Sequence, residues 1–155
     1  FAPVLDVNQT PKNPVIRSRS YGADPDIVIK MGLASIKGFL DHGIVPVVKH
    51  FPGHGNTIQD PHHHITYNSS SEKHLETIDM APFKAAINNQ IPAIMTAHVI
   101  YTQLDPDNPA TLSKYILKDI LRKKLNYKHL IITDDLNMNA IHKHLQQPSS
   151  KPSNI

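Results

Sequence analysis

The chain has 155 residues, 39% of them hydrophobic and 19% charged, a balance expected of one soluble globular domain. Its formal charge of +3 comes from basic residues spread along the sequence, and the one dense run, Arg122 to Lys124, reads as a solvated helix face, so no nucleic-acid partner is expected. The absence of cysteine excludes disulfides and thiolate metal sites, and no apolar run approaches the roughly 18 residues of a membrane span. The chain opens on Phe1 and not on methionine, which leaves an upstream signal peptide open.

The first segment, FAPVLDVN, is a short apolar run that stops in polar, proline-containing sequence, and it predicts a buried strand followed by a loop. In ADPDIVIKMGLASIKGFLDHG, Asp24 is placed to cap a helix, Pro25 to open it and Gly43 to end it. Ile27, Met31, Ile36 and Leu40 recur near helical spacing and are expected to face the core. IVPVVKHF is too short an apolar run for a helix and predicts a second buried strand. From Ser69 to Asn89 the sequence is polar at first and turns helical around Pro82, with Phe83, Ala86 and Ile87 as its apolar stripe.

PAIMTAH predicts the third strand. Ser113 is placed to cap a helix through Leu125 with Ile116, Leu117, Ile120 and Leu121 inward, and HLIITDDL predicts a fourth strand that ends on two aspartates. Strands alternating with helices predict a parallel α/β sheet, since parallel strands need crossover connections. Four such units fit either a small open sheet or part of a (β/α)8 barrel, and periodicity does not choose between them. After Ala140 the Pro/Ser-rich QQPSSKPSNI is expected to be disordered.

In parallel α/β folds the chemistry gathers beyond the C-terminal ends of strands. Here those positions hold Asp6 and Asn8, Lys49 and His50, His98, and Asp134 and Asp135, so four successive strand ends are polar together. Between the second strand and the next helix lies KHFPGHGNTIQDPHHH, with five of the 11 histidines. His50 and His54 are four apart, a zinc-like spacing when it lies on a helix, but Pro52, Gly53 and Gly55 break any helix there, so no metal site is expected. Asp60 and His62 are two apart around Pro61, so in an extended loop both side chains leave on one side. A carboxylate bonded to one imidazole nitrogen fixes the tautomer and raises the basicity of the other, which suits general acid/base work, and a carboxylate such as Asp134 could face it as nucleophile.

The series FAPVLDVN, NPVIRSRSYGADP, VVKHFPGHGNT, DPH, IPAIMTAHVIY and LIITDDLNMNAI resembles the glycoside hydrolase family 3 β-N-acetylglucosaminidases of the NagZ type, in the family's order from Phe1 to about Ile141. The resemblance implies a TIM-like barrel of which this chain supplies about four βα units, residues 1–141 being part of the catalytic domain and 142–155 a disordered or divergent tail. It implies a retaining hydrolase that needs no cofactor and releases terminal β-linked N-acetylglucosamine from peptidoglycan-derived muropeptides in the cytoplasm. By the same resemblance Asp134 is the nucleophile, His62 with Asp60 the acid/base dyad, and Arg19, Lys49 and His50 the sugar-binding residues.

Departures accompany the matches. Pro61 stands where serine is common in the D-x-H pair, and His129 where a glycine usually precedes the last strand. The family's early strands, with a further substrate-binding aspartate, are expected before Phe1 and its closing strands after Ile141, so a complementary barrel segment is an expected partner. Two other readings stand beside the enzyme: an inactive remnant without turnover, and a histidine-based metal-binding protein.

Overall fold

The computed structural model describes residues 1–58, 60 and 65–146, so the expected acid/base His62 and residues 147–155 of the expected tail 142–155 lie outside the described residues, while residues 142–146 of that tail are helical and not disordered. The β-branched run after Pro46 forms β1 (Val47–Phe51), four of whose five residues are buried. Strands β2 (Thr66–Asn68), β3 (Ala93–Thr96), β4 (Val99–Tyr101) and β5 (Leu130–Thr133) follow in chain order. β1, β3 and β5 make one parallel sheet in that order, with Val48 opposite Ile94 and Ile94 opposite Ile131. The first segment lies along the free side of β1. Its single bridge joins Val4 to Lys49, and Leu5 N donates to Lys49 O at 2.7 Å while Lys49 N donates to Pro3 O at 3.2 Å.

The parallel sheet thus follows the sequence reading, with FAPVLDVN contributing strand-like pairing over a shorter length than expected. The small parallel pair β2 and β4 was not expected; its three-residue strands are too short to show a period.

Asp24 caps α1 (Pro25–Asp41) by accepting from Asp26 N at 2.8 Å, and the helix ends before Gly43 at φ 71°, as the sequence predicts. Its buried stripe is Val28, Gly32 and Ile36, not the expected Ile27, Met31, Ile36 and Leu40, of which only Ile36 is buried. Positions 28, 32 and 36 share one face, whereas 27 and 31 lie about 100° round the helix. Gly32 is what brings that face close, since a Cβ there would meet Leu5 Cδ2 at 2.4 Å.

The segment expected to turn helical around Pro82 begins earlier, as α2 (Glu72–His74) running into a π-helical turn at Leu75–Asp79, then α3 (Ala81–Asn88) with proline in its first turn. Ser113 Oγ accepts from Ile116 N at 3.1 Å, as its capping role requires, and the helix beyond it, Tyr115–Lys124, is π-helical and buries Ile116, Ile120 and Leu121. The chain ends its described part in α4 (Asn139–Gln146).

The helices pack on one face of the sheet, where Val48, Ile94, Phe51 and Phe83 join the main core; the two phenylalanine rings meet edge to face at 5.5 Å. Each such side chain contributes about 2 kcal/mol through removal from water. The opposite sheet face carries a smaller cluster of Val47, Ala93 and Met95. β3 is buried throughout, but β5 is not: Leu130 is 60% exposed, and among the described residues no strand pairs with the outer edge of β5. No helix of the described residues is long and apolar enough to cross a membrane.

Candidate active site

Three strand ends converge on one buried carboxylate. Asp6, fully buried in the first segment, accepts through Oδ1 from His50 N at 3.1 Å and His54 N at 2.7 Å, and through Oδ2 from His50 Nδ1 at 2.7 Å. Burial by itself raises the pKa of Asp6, but the charge and hydrogen bond of His50, with the His54 backbone N–H, outweigh it and hold the carboxyl below its ordinary value. His50 is in turn directed across the sheet, its Nε2 lying 3.8 Å from Asp134 Oδ2 at the end of β5. Asp134 is half-buried, with 32% of its side chain exposed, so it stands between the buried network and solvent.

Asp134 is held from the β3–β4 junction. Buried His98 meets the Asp135 carbonyl through Nε2 at 3.0 Å and Thr111 Oγ1 through Nδ1 at 2.8 Å. A carbonyl only accepts, so Nε2 carries the proton. Burial pushes the His98 pKa down despite that carbonyl and Asp134, which favours the neutral ring. With Nδ1 bare, the single Thr111 hydroxyl proton faces His98, and Thr111 Oγ1 also lies 2.9 Å from Thr96 Oγ1 and 3.1 Å from Ala97 O, tying His98 to β3.

Lys49 is half-buried beside this centre. Burial and the neighbouring Arg19 guanidinium lower its pKa, while Asp134 and Asp6 oppose the change, so these groups share one electrostatic neighbourhood. Arg19 is exposed and donates to Val15 O from Nε at 3.1 Å and Nη2 at 2.9 Å. The peptide bond joining Lys49 to His50 is cis.

Of the residues expected at the site, the structure brings together Asp134, His50, Lys49 and Arg19. Asp60 is half-buried on the loop, and its intended partner His62 lies outside the described residues. Asp6, His98 and Thr111 complete the network and were not among the expected site residues. Asp6 and His98 carried a signal as polar groups at strand ends, but Thr111 sits in a connection with nothing in its local sequence to mark it. Among the described residues no group of three histidine or acidic side chains is arranged to hold a metal ion.

The two glycines of the histidine loop, which break any helix there, also permit close packing. A Cβ on Gly55 would stand 1.9 Å from Val7 O, and one on Gly53, at φ 137°, would stand 2.7 Å from Asp79 Cβ. Asn13 Nδ2 donates to His54 O at 2.8 Å, Thr10 Oγ1 donates to Asn56 Oδ1 at 2.6 Å, and Tyr101 donates to Gly53 O at 2.8 Å. The root of the loop is therefore clamped from three sides, which fixes His50 against Asp6.

This frame has close counterparts. Residues 1–153 match the glycosyl hydrolase family 3 N-terminal domain. The chain is similar to a beta-hexosaminidase of Haemophilus influenzae, at 42% identity over 139 residues that make up 89% of this chain and 39% of that protein. Beta-hexosaminidase A of Pseudoalteromonas piscicida is 39% identical over 91% of this chain and 26% of its own length. A family 3 beta-N-acetylglucosaminidase structure from Paenibacillus superposes with a TM-score of 0.91 at 44% identity, over 92% of this chain and 27% of that one. The chain thus spans well under half the length of these relatives. Parallel βα units, a clamped KHFPGHG loop and a family match along nearly the whole sequence converge: the chain belongs to glycosyl hydrolase family 3 and forms part of its TIM-barrel-like N-terminal domain.

Proposed function

We propose that this chain carries the catalytic centre of a retaining β-N-acetylglucosaminidase acting on terminal β-linked N-acetylglucosamine, with peptidoglycan-derived muropeptides in the cytoplasm as its substrates. The observation that carries this reading is Asp134: a half-exposed carboxylate at a strand end, backed by His50 Nε2 at 3.8 Å and held by the His98 bond to the next residue's carbonyl at 3.0 Å. In the proposed reaction an Asp134 oxygen forms a bond to the anomeric carbon as the bond to the leaving oxygen breaks, and His62, oriented by Asp60, gives that oxygen its proton. His62 then takes a proton from water, whose oxygen displaces Asp134 and frees the sugar. This scheme has one carboxylate and a histidine where most retaining glycosidases use two carboxylates. Arg19, Lys49 and His50 are the proposed sugar-binding groups, donors suited to hydroxyls or the acetamido carbonyl.

The test is release of the chromophore from an aryl β-N-acetylglucosaminide. Turnover should vanish in Asp134→Ala and fall in His62→Ala; full activity in Asp134→Ala would refute the assignment. A second reading, a chain that binds sugar but turns it over only with a complementary barrel segment, is favoured by the exposed outer edge of β5. It predicts no turnover by the chain alone, and turnover on adding the flanking segments of a relative.

A further inference from the structure

The hydrogen bonds around His50 are unequal in a way that assigns a role to Asp6. Asp6 Oδ1 is taken up by two backbone donors, His50 N and His54 N, and only Oδ2 remains to meet the His50 ring, at 2.7 Å. An ionised carboxylate accepts and cannot donate, so the ring nitrogen that faces it must carry a proton. The other nitrogen, Nε2, points toward Asp134 Oδ2 at 3.8 Å, on the side where the site opens. Turning the ring over would break the 2.7 Å bond from Nδ1 to Asp6, at a place where the ring is 4% exposed and edge to face with His54 at a centroid distance of 5.8 Å.

We infer that Asp6 is a positioning residue that keeps the proton on His50 Nδ1 in every charge state of the ring, so that His50 gains or loses a proton, and meets the sugar, only through Nε2. The neighbours allow this. Among the described residues the charged or titratable groups coupled to this part of the site include Asp6, Asp134, Asp135, Asp79, Tyr101, His54, His98, Lys49 and Arg19. Of these, Asp6 bonds the His50 ring at Nδ1, Asp134 lies beyond Nε2 and the His54 ring meets its edge. With its proton fixed at the rear, a neutral His50 presents a lone pair to the site and accepts from a sugar hydroxyl; a charged His50 presents a donor to that hydroxyl or to Asp134. Which nitrogen of a histidine works is set by the bond the other makes.

The isosteric variant Asp6→Asn separates this from simple support of the fold. Its carbonyl oxygen is needed by the two backbone donors, so its Nδ2 amino group faces His50 Nδ1, which must then accept. The ring proton moves to Nε2, the nitrogen facing Asp134. The measurement is the titration of the His50 ring nitrogens in isotope-labelled wild type and Asp6→Asn, assigned by comparison with His50→Gln. In the wild type Nδ1 should keep a protonated resonance across the titration while Nε2 moves; in Asp6→Asn the two nitrogens should exchange behaviour. A wild-type His50 whose Nδ1 titrates while Nε2 stays protonated would overturn the inference, and so would an Asp6→Asn variant with the wild-type pattern. If that variant does not fold, the wild-type titration alone decides.

The catalytic consequence rests on the glycosidase reading, whereas the position of the proton does not. Asp6→Asn should lower kcat/KM on an aryl β-N-acetylglucosaminide by about tenfold to a hundredfold, the range for the outer partners of metal-bound histidines. A wild type without turnover even with the flanking segments of a relative, but with the expected nitrogen pattern, would refute the glycosidase reading and leave the proton assignment standing. Exchanged nitrogens with undiminished turnover would overturn the positioning role.

Discussion

Asp79 closes the π-helical turn and is fully buried beneath Gly53, with neither carboxylate oxygen hydrogen-bonded. The nearest cationic candidate, His74 Nε2, lies 3.8 Å from Oδ2, beyond hydrogen-bond reach. Burial, with a smaller contribution from the charge on Asp6, pushes its pKa up from 3.8 to about 8. The native state therefore binds a proton that the unfolded chain releases, and the associated stability is fully present below about pH 4 and lost as pH rises through about 8. Each pH unit inside that window removes about 1.4 kcal/mol, so going from about pH 5 to about pH 8 should remove roughly 3 to 4 kcal/mol. Asp79→Asn has the same shape and no ionisation. Denaturant unfolding of both proteins at several pH values should show the variant gaining on the wild type by that amount across the interval. Parallel stability curves, within about 0.5 kcal/mol, would refute the reasoning.

His54 is the mirror case. Burial depresses its pKa from 6.5 to about 4, so its contribution is present above 6.5 and lost as pH falls through about 4; His54→Gln should flatten that acid limb, and an unchanged limb would count against it. Gly55→Ala forces a Cβ against the Val7 backbone and should cost about 3 kcal/mol or prevent folding, measured by thermal or denaturant melting; a loss under about 1 kcal/mol would show that the loop is not clamped. Leu130, 60% exposed on the outer strand, should promote self-association, so Leu130→Lys should lower the concentration-dependent mass seen by light scattering, and equal masses would contradict that role.

Much of the fold was legible because it rests on short-range rules. Asp24, Pro25 and Gly43 bound α1 through capping and backbone geometry alone, and the apolar runs at Val47, Ala93 and Leu130 became the strands of one sheet. The error over Ile27, Met31 and Leu40 arose because α1 closes on Leu5 of the first segment at Gly32, a contact face that hydrophobicity does not reveal. The site was legible as polar strand ends, but its organisation was not: that Asp6 binds both His50 and His54 depends on bringing together residues 44 and 48 positions apart. Thr111 gives no local sign that it supports His98. The pinned roles of Gly53 and Gly55 likewise depend on what lies against them, not on their own freedom.

We propose Asp134 as the nucleophile of a retaining glycosidase. The most direct test is incubation with an activated fluorinated N-acetylglucosaminyl donor, on which electron withdrawal slows breakdown of the covalent intermediate, followed by proteolysis and mass spectrometry. With Asp134 as nucleophile, one added sugar residue should appear, confined to the peptide containing Asp134 and absent from Asp134→Ala. A sugar adduct on another residue, or turnover of ordinary substrate with an adduct that persists in Asp134→Ala, would contradict it.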